Sequence, residues 1–209
     1  KTYRVAVVGA GGLVGRKMVQ VLEERNFPVS ELRLFATAKS AGETVMFRGK
    51  EYKIEVTDTE AFKDIDIALF SAGGTPSSKL APIAAKAGCV VIDNSSFWRR
   101  HEQVPLVVPE INPEACRNHR GIIANPNCST IRLVVAMKPI DDRYGIKSAT
   151  VSTYQSISGA GKSGINKLET EQGGGNLGDK HKIYRNAIFH SVDPEYTDMT
   201  NEEVKMMFE

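Results

Sequence analysis

The chain opens on an apolar, β-branched run from Tyr3 to Val8 that stops abruptly at glycines. A short continuous run of this kind predicts a strand buried on both faces of a parallel sheet. From Leu13 to Arg25 the period lengthens, with Val14, Met18, Val21 and Leu22 at helical spacing. Leu32 to Phe35 predicts a second strand, Glu51 to Val56 an alternating half-buried one, and Ile65 to Phe70 another buried one. Leu80 to Lys86 predicts a helix that ends at Gly88, a residue suited to a C-cap. Cys89 to Ile92 predicts the next strand, and Leu106-Val107-Val108 a further extended run after a proline. Strands that alternate with helices specify a parallel sheet with right-handed crossovers. Residues 1–126 are therefore expected to form an α/β, doubly wound, Rossmann-like domain.

The pattern changes near residue 125. Ser129 to Lys138 has helical spacing, and Ser148 to Gln155, rich in Ser, Thr and Val, predicts a strand belonging to a different sheet. Gly173 to Gly178 predicts a glycine-rich surface loop. Thr200 to Phe208 predicts a helix with Thr200 as N-cap and Glu203 in the capping-box position. Residues 127–209 are expected to form part of a second, α+β domain.

Composition narrows the classes of function. Net charge is only +2, which gives no footprint for nucleic acid or an anionic membrane. The longest apolar runs, such as Ile131 to Met137, are far too short to span a bilayer, and Lys1-Thr2-Tyr3-Arg4 leads straight into a strand without the pattern of a signal peptide. The three cysteines, Cys89, Cys116 and Cys128, have no metal-type spacing, so a reduced, cytoplasmic protein without a metal site is expected.

Two segments carry chemistry. Between the first strand and helix stands Gly9-Ala10-Gly11-Gly12-Leu13-Val14-Gly15, with Gly9, Gly12 and Gly15 at a Gly-x-x-Gly-x-x-Gly spacing. Glycines let the backbone approach a pyrophosphate, and the helix N-terminus offers free N–H groups and the positive end of its dipole. The alternative is a tight strand-to-helix turn with no ligand, but the strand–loop–helix context favours a nucleotide. After the second strand come Thr37, Ala38, Lys39 and Ser40, with no acid before Glu43. An NAD site usually places a carboxylate there for the ribose 2′-hydroxyl, whereas a cation flanked by hydroxyls suits a 2′-phosphate, so NADP is favoured. Taken alone, Lys39 reads as a solvated loop charge. Ser71-Ala72-Gly73-Gly74 forms a second small-residue loop at the expected crevice.

The other segment is Asn125-Pro126-Asn127-Cys128-Ser129-Thr130, a sharp turn leading directly into an apolar helix. A cysteine at a helix N-terminus has its thiolate stabilised by the dipole, and backbone N–H groups of the same turn suit an oxyanion. A buried structural role fits Cys89 and Cys116 better than Cys128.

Asn125 to Thr130 resembles the active-site motif of aspartate-semialdehyde dehydrogenases, and Ser152-Thr153-Tyr154-Gln155 with Ser158-Gly159-Ala160-Gly161 is similar to that family's next signature. Ser71-Ala72-Gly73, Asp93-Asn94-Ser95-Ser96 and Val107 to Asn112 match as well, in order, from residue 3 to about 170. The resemblance implies that Cys128 attacks L-4-aspartyl phosphate and expels inorganic phosphate, and that NADPH reduces the acyl-thioester to L-aspartate 4-semialdehyde. It implies that Asn127 orients the acyl oxygen or phosphate, that Gln155 holds the substrate and that Arg99 pairs with the leaving phosphate. Glu202 and Lys205 match a substrate-contacting pair; a surface ion pair is the competing reading. Gly12, Leu13, Val14 and Gly15 would hold the pyrophosphate, Asn94 is a further cofactor contact, and Ser158 and Gly159 would lie at the nicotinamide end. A homodimer or homotetramer formed through the second domain is implied too.

The family also uses a substrate-binding arginine and an acid/base histidine, and none of His101, His119, His181 or His190 stands in a matching motif. The chain therefore reads as C-terminally incomplete, with little turnover expected from this stretch by itself. Two competing functions are an N-acetyl-glutamyl-phosphate reductase, whose cysteine motif differs, and a non-catalytic NADP-binding module on the same fold.

Overall fold

The computed structural model describes residues 1–178, 181–188 and 190–209. It divides into two compact units, residues 1–138 together with Glu209, and residues 139–208. The division falls at the Lys138–Pro139 peptide, further along the chain than the change of pattern near residue 126.

The first unit is built on a seven-stranded sheet. Its strands are β1 (Tyr3–Val8), β2 (Val29–Ala36), β3 (Thr44–Phe47), β4 (Lys50–Val56), β5 (Ile67–Phe70), β6 (Val90–Asp93) and β7 (Ile122–Ala124). They lie in the order β3-β4-β2-β1-β5-β6-β7, parallel throughout except for the β3–β4 hairpin at one edge. The chain winds outward from β1 to β2 on one side and returns to β5 on the other, so the end of β1 is the point where the winding reverses. Crevices outside the carboxyl ends of strands at such a point are where open α/β sheets bind ligands.

The unbroken apolar run of β1 has a direct cause. Alternate side chains point to opposite faces, and both faces are covered. Ala6 and Val8 join Phe35, Phe62, Phe70 and Trp98 in one cluster, under helix α2 (Gly74–Lys86) through Ala81 and Ala84. Val5 and Val7 join Leu34 and Ile54 in the other, under helix α1 (Leu13–Glu24) through Val19.

Two helical expectations change. Helix α2 begins at Gly74, well over a turn before Leu80, because its first turn is made of small and polar residues that carry no apolar period. One of these, Ser77, is fully buried and accepts a hydrogen bond from Trp98 Nε1 at 3.1 Å. Helix α3 (Cys128–Tyr144) continues through Pro139, although a proline inside a helix removes one backbone hydrogen bond.

Two strands appear that the sequence did not predict, and one predicted run is reduced. β3 has a weak sequence signal and forms by pairing with β4 across Arg48 and Gly49, both at positive φ (51° and 74°), the backbone of a tight hairpin turn. β7 spans three residues and pairs with β6. The run Leu106 to Val108 contributes only a single bridge, from Leu106 to Ala124.

The second unit holds the remainder of α3, α4 (Gly161–Gln172), which sequence periodicity did not reveal, and α5 (Asn201–Phe208). Ser148 to Gln155 is not a strand: it has no ladder partner among the described residues, and Tyr154 is 96% exposed. β-propensity describes how well a residue fits a pleated surface, and without a neighbour there is no surface to fit. The α5 capping box forms as expected: Glu203 Oε2 accepts from Thr200 N (2.7 Å) and from Thr200 Oγ1 (2.6 Å). These hydrogen bonds, the hydroxyl's first, hold the Glu203 carboxyl below its usual range.

Candidate active site

The glycine loop leaves β1 with Gly9 at φ +90°, where a side chain would run into the Ser71 carbonyl. A side chain at Gly15 would strike the backbone of Gly9, so this residue lets α1 pack back against the strand it leaves. Gly9 N and Ala10 N donate to Phe35 O at 2.8 and 3.0 Å, which ties the loop to the end of β2. α1 starts after Gly12 with no side-chain cap and no acid in its first turn, so its N-terminal potential is not offset by a local carboxylate.

Beside this loop lies a cavity of about 280 Å³ lined by Gly9, Gly11, Gly12, Thr37, Ser40 and Thr57, with an apolar wall that includes Val8 and Leu80. An apolar wall with a few convergent polar groups suits an adenosine moiety. Gly9, Gly12, Thr37 and Ser40 were expected here from sequence. Thr57 was not, although it directly follows β4 at the carboxyl edge of the sheet, where a topological rule would have looked for it. Glu43, the first acid after β2, is bound by Arg16, which also donates to Thr44 O. Of the other expected cofactor residues, Leu13 and Val14 open α1, Lys39 is exposed on the loop after β2, and Ser71 and Gly73 lie between β5 and α2.

The second part of the site gathers at the carboxyl ends of β6 and β7. Asp93, fully buried, accepts hydrogen bonds from Ser95 Oγ (2.6 Å) and Ser95 N (3.2 Å), which turns the chain sharply at Asn94. Asn125 Nδ2 donates to Asn94 Oδ1 at 2.7 Å and joins the two loops. Asn127 then caps α3: its Oδ1 accepts from Ser129 N at 2.8 Å and from Thr130 N at 3.4 Å. Cys128 is therefore the first residue of the helix, and it is exposed.

The other cysteines have different surroundings. Cys89 is buried, donates weakly to Phe62 O at 3.5 Å, and has its thiol pushed up to about 11, chiefly by burial. Cys116 is half-buried in a short 3₁₀ segment.

Arg99 sits behind the Cys128 turn with its side chain only 8% exposed. Its Nε donates to Asn125 O and its Nη2 to Asn94 O, each at 3.0 Å, and its Nη1 contacts both carboxylate oxygens of Glu209 at 3.0 and 3.2 Å. The Asn125 and Glu209 partners of Arg99 were not foreseen from sequence, because contacts this distant along the chain leave no periodicity.

The second unit brings Gln155 to the Glu202 and Lys205 pair on α5. Gln155 Nε2 donates to Glu202 Oε1 at 2.8 Å, and Lys205 Nζ lies 3.5 Å from Glu202 Oε2. Glu202 is only 6% exposed, while the Lys205 side chain is 35% exposed, so the pair is buried at its carboxylate end. Ser158 and Gly159 are exposed on a 3₁₀ turn, with Ser158 N donating to Ser156 Oγ. Among the described residues, no group of three or more His, Cys, Asp or Glu side chains is arranged to hold a metal, and no helix is long and apolar enough to cross a membrane.

Comparison with known proteins gives an independent view. Residues 4–119 match the model of the semialdehyde dehydrogenase NAD-binding domain, and residues 137–208 that of the semialdehyde dehydrogenase dimerisation domain. The chain is 52% identical to an aspartate-semialdehyde dehydrogenase of Aquifex aeolicus and 48% identical to one of Shewanella violacea, in each case over 99% of this chain and 64% of the relative. Among solved structures, aspartate semialdehyde dehydrogenase II of Vibrio cholerae, complexed with ASA, superposes with a TM-score of 0.88 at 44% identity, over 99% of this chain and 64% of the other. The chain thus spans about two-thirds of the length of these relatives, a little under that mark at 64%.

Proposed function

The chain belongs to the semialdehyde dehydrogenase family, with a domain that binds a nicotinamide dinucleotide, and on that premise we propose that this protein reduces L-4-aspartyl phosphate to L-aspartate 4-semialdehyde through an acyl-thioester on Cys128. The observation that carries the reading is the placement of Cys128, exposed at the first position of a capped helix beside the carboxyl edge of a nucleotide-type sheet. The first turn of a helix offers an anion formed there free N–H groups and the positive end of the dipole. Its sulfur bonds to the acyl carbon as the carbon–oxygen bond to phosphate breaks, and inorganic phosphate leaves. When bound, NADPH supplies the hydride that takes the thioester to the aldehyde level. The thiohemiacetal at Cys128 then collapses, releasing the aldehyde and restoring the thiolate.

The remaining residues take supporting roles. Asn127 holds the turn and orients the acyl oxygen or phosphate, and Arg99 pairs with the leaving phosphate by exchanging part of its contact with Glu209 for it. Gln155, Glu202 and Lys205 hold the substrate. The cavity beside the glycine loop fits the dinucleotide: Gly9, Gly12, Leu13, Val14 and Gly15 would hold its pyrophosphate, with Ser71, Gly73 and Asn94 along the crevice and Ser158 and Gly159 at the nicotinamide end. NADP is favoured over NAD by Thr37, Lys39 and Ser40, and because the nearest acid, Glu43, is engaged by Arg16. Assembly as a homodimer or homotetramer through the second unit, in the cytoplasm, completes the proposal.

Phosphate-dependent reduction of NADP by the full-length protein, with L-aspartate 4-semialdehyde as substrate, tests it. Cys128→Ala is expected to lose more than about 10³-fold in turnover. Retained turnover in that variant, or preferred reduction of N-acetyl-glutamyl phosphate by the unaltered protein, would reject the reading.

A further inference from the structure

Glu209 ties the Arg99 side chain to the turn that precedes Cys128. Its carboxylate accepts from Arg99 Nη1 and from the backbone N–H of Asn127, the residue that caps α3 and immediately precedes Cys128. Both side chains are withdrawn from water, with 8% of Arg99 and 4% of Glu209 exposed. Arg99 in turn holds the carbonyls of Asn94 and Asn125, the first residues after β6 and β7. A buried pair of this kind is a costly way to add stability, since desolvation offsets much of the attraction. It does fix geometry, because a planar guanidinium with three partners and a carboxylate with two leave the intervening turn little freedom.

We propose that Glu209 is a positioning residue for the Cys128 nucleophile, acting through Arg99 and the Asn127 N–H. The proposal rests on the role of Cys128 given above. Two functions follow from two properties of the side chain. Its reach holds the turn that sets where the thiol stands, and its charge balances Arg99 so that the turn is not left with an uncompensated cation.

Two variants of the full-length protein separate these properties. Glu209→Gln keeps the reach and removes the charge. The pH profile of Cys128 alkylation by iodoacetamide, followed by peptide mapping, is expected to move to lower pH by about half a unit or more. Glu209→Asp keeps the charge and retracts the carboxylate by one methylene. Its alkylation profile should stay in place, while kcat falls by about tenfold or more with KM little changed. A merely structural pair would lower the melting temperature in both variants and move neither readout. The proposal is overturned if kcat and the alkylation profile of both variants stay within twofold and 0.2 pH units, roughly, of the unaltered protein. Should the Gln variant fail to fold, the Asp variant alone decides through kcat. Failure of the underlying reading looks different: the unaltered protein would itself show no turnover and no selective labelling of Cys128.

Discussion

The two units bury different kinds of side chain. Residues 1–138 hide aromatic and aliphatic groups on both faces of a sheet, with Phe35, Phe62, Phe70, Leu34 and Ile54 among those fully enclosed. Among the described residues of 139–208, the buried hydrophobic side chains are Ile183 and Val204, and beside them two carboxylates are buried, Glu171 and Glu202. Glu171 accepts from Ile183 N (2.7 Å) and Tyr184 N (2.9 Å), and Glu202 from Gln155. Meanwhile Tyr144, Val151, Tyr154 and Val192 are exposed. The first unit is held by apolar burial, the second by polar contacts around charges, which specify geometry more than they stabilise it.

The most severe way to break this contrast is to empty the first core. Phe62→Ala removes a fully buried ring that stacks on Phe70 with centroids 5.8 Å apart, and is expected to cost about 3–5 kcal/mol in urea or guanidinium unfolding. A loss below about 1 kcal/mol would mean that this core does not dominate the unit.

A smaller effect comes from the charge that the same core refuses. Cys89 ionises near 9 when unfolded and at about 11 when folded. Its folded value is raised, so below pH 9 the thiol is neutral in both states and stability is intact. Between pH 9 and about 11 the unfolded chain ionises first and stability falls, by at most about 2–3 kcal/mol. Cys89→Ala should remove that slope, seen as the difference between the two proteins' unfolding free energies across this window. Parallel slopes would show that the thiol is not buried as described.

The smallest effect is expected where the second unit faces solvent. Tyr154→Ser should change the unfolding free energy of the protein by less than about 0.5 kcal/mol. A larger loss would show that Tyr154 is covered in solution and lies within an interface.

The two units also differ in how far sequence revealed them. β1 and the start of α1 stand where the apolar pattern and the glycines placed them, because strand period, helix period and turn chemistry all act within a few residues. The start of α2 was hidden by its polar first turn, and β3 and β7 by their shortness, since each exists only as a partner to β4 and β6. In the second unit the strand-like run Ser148 to Gln155 misled, for it has propensity without a neighbour. The capping box at Thr200 and Glu203 was readable because it is a contact across three residues.

The same division holds at the site. Sequence by itself placed Cys128 at its helix start and Gly9 to Gly15 between strand and helix, because both placements depend on local backbone geometry that particular residue types require. Only the tertiary structure decided that Gln155 reaches Glu202 and that Arg99 is held by Asn94, Asn125 and Glu209. All but the Asn94 contact join residues far apart in the chain, and nothing in a linear pattern records which distant side chains burial will bring together.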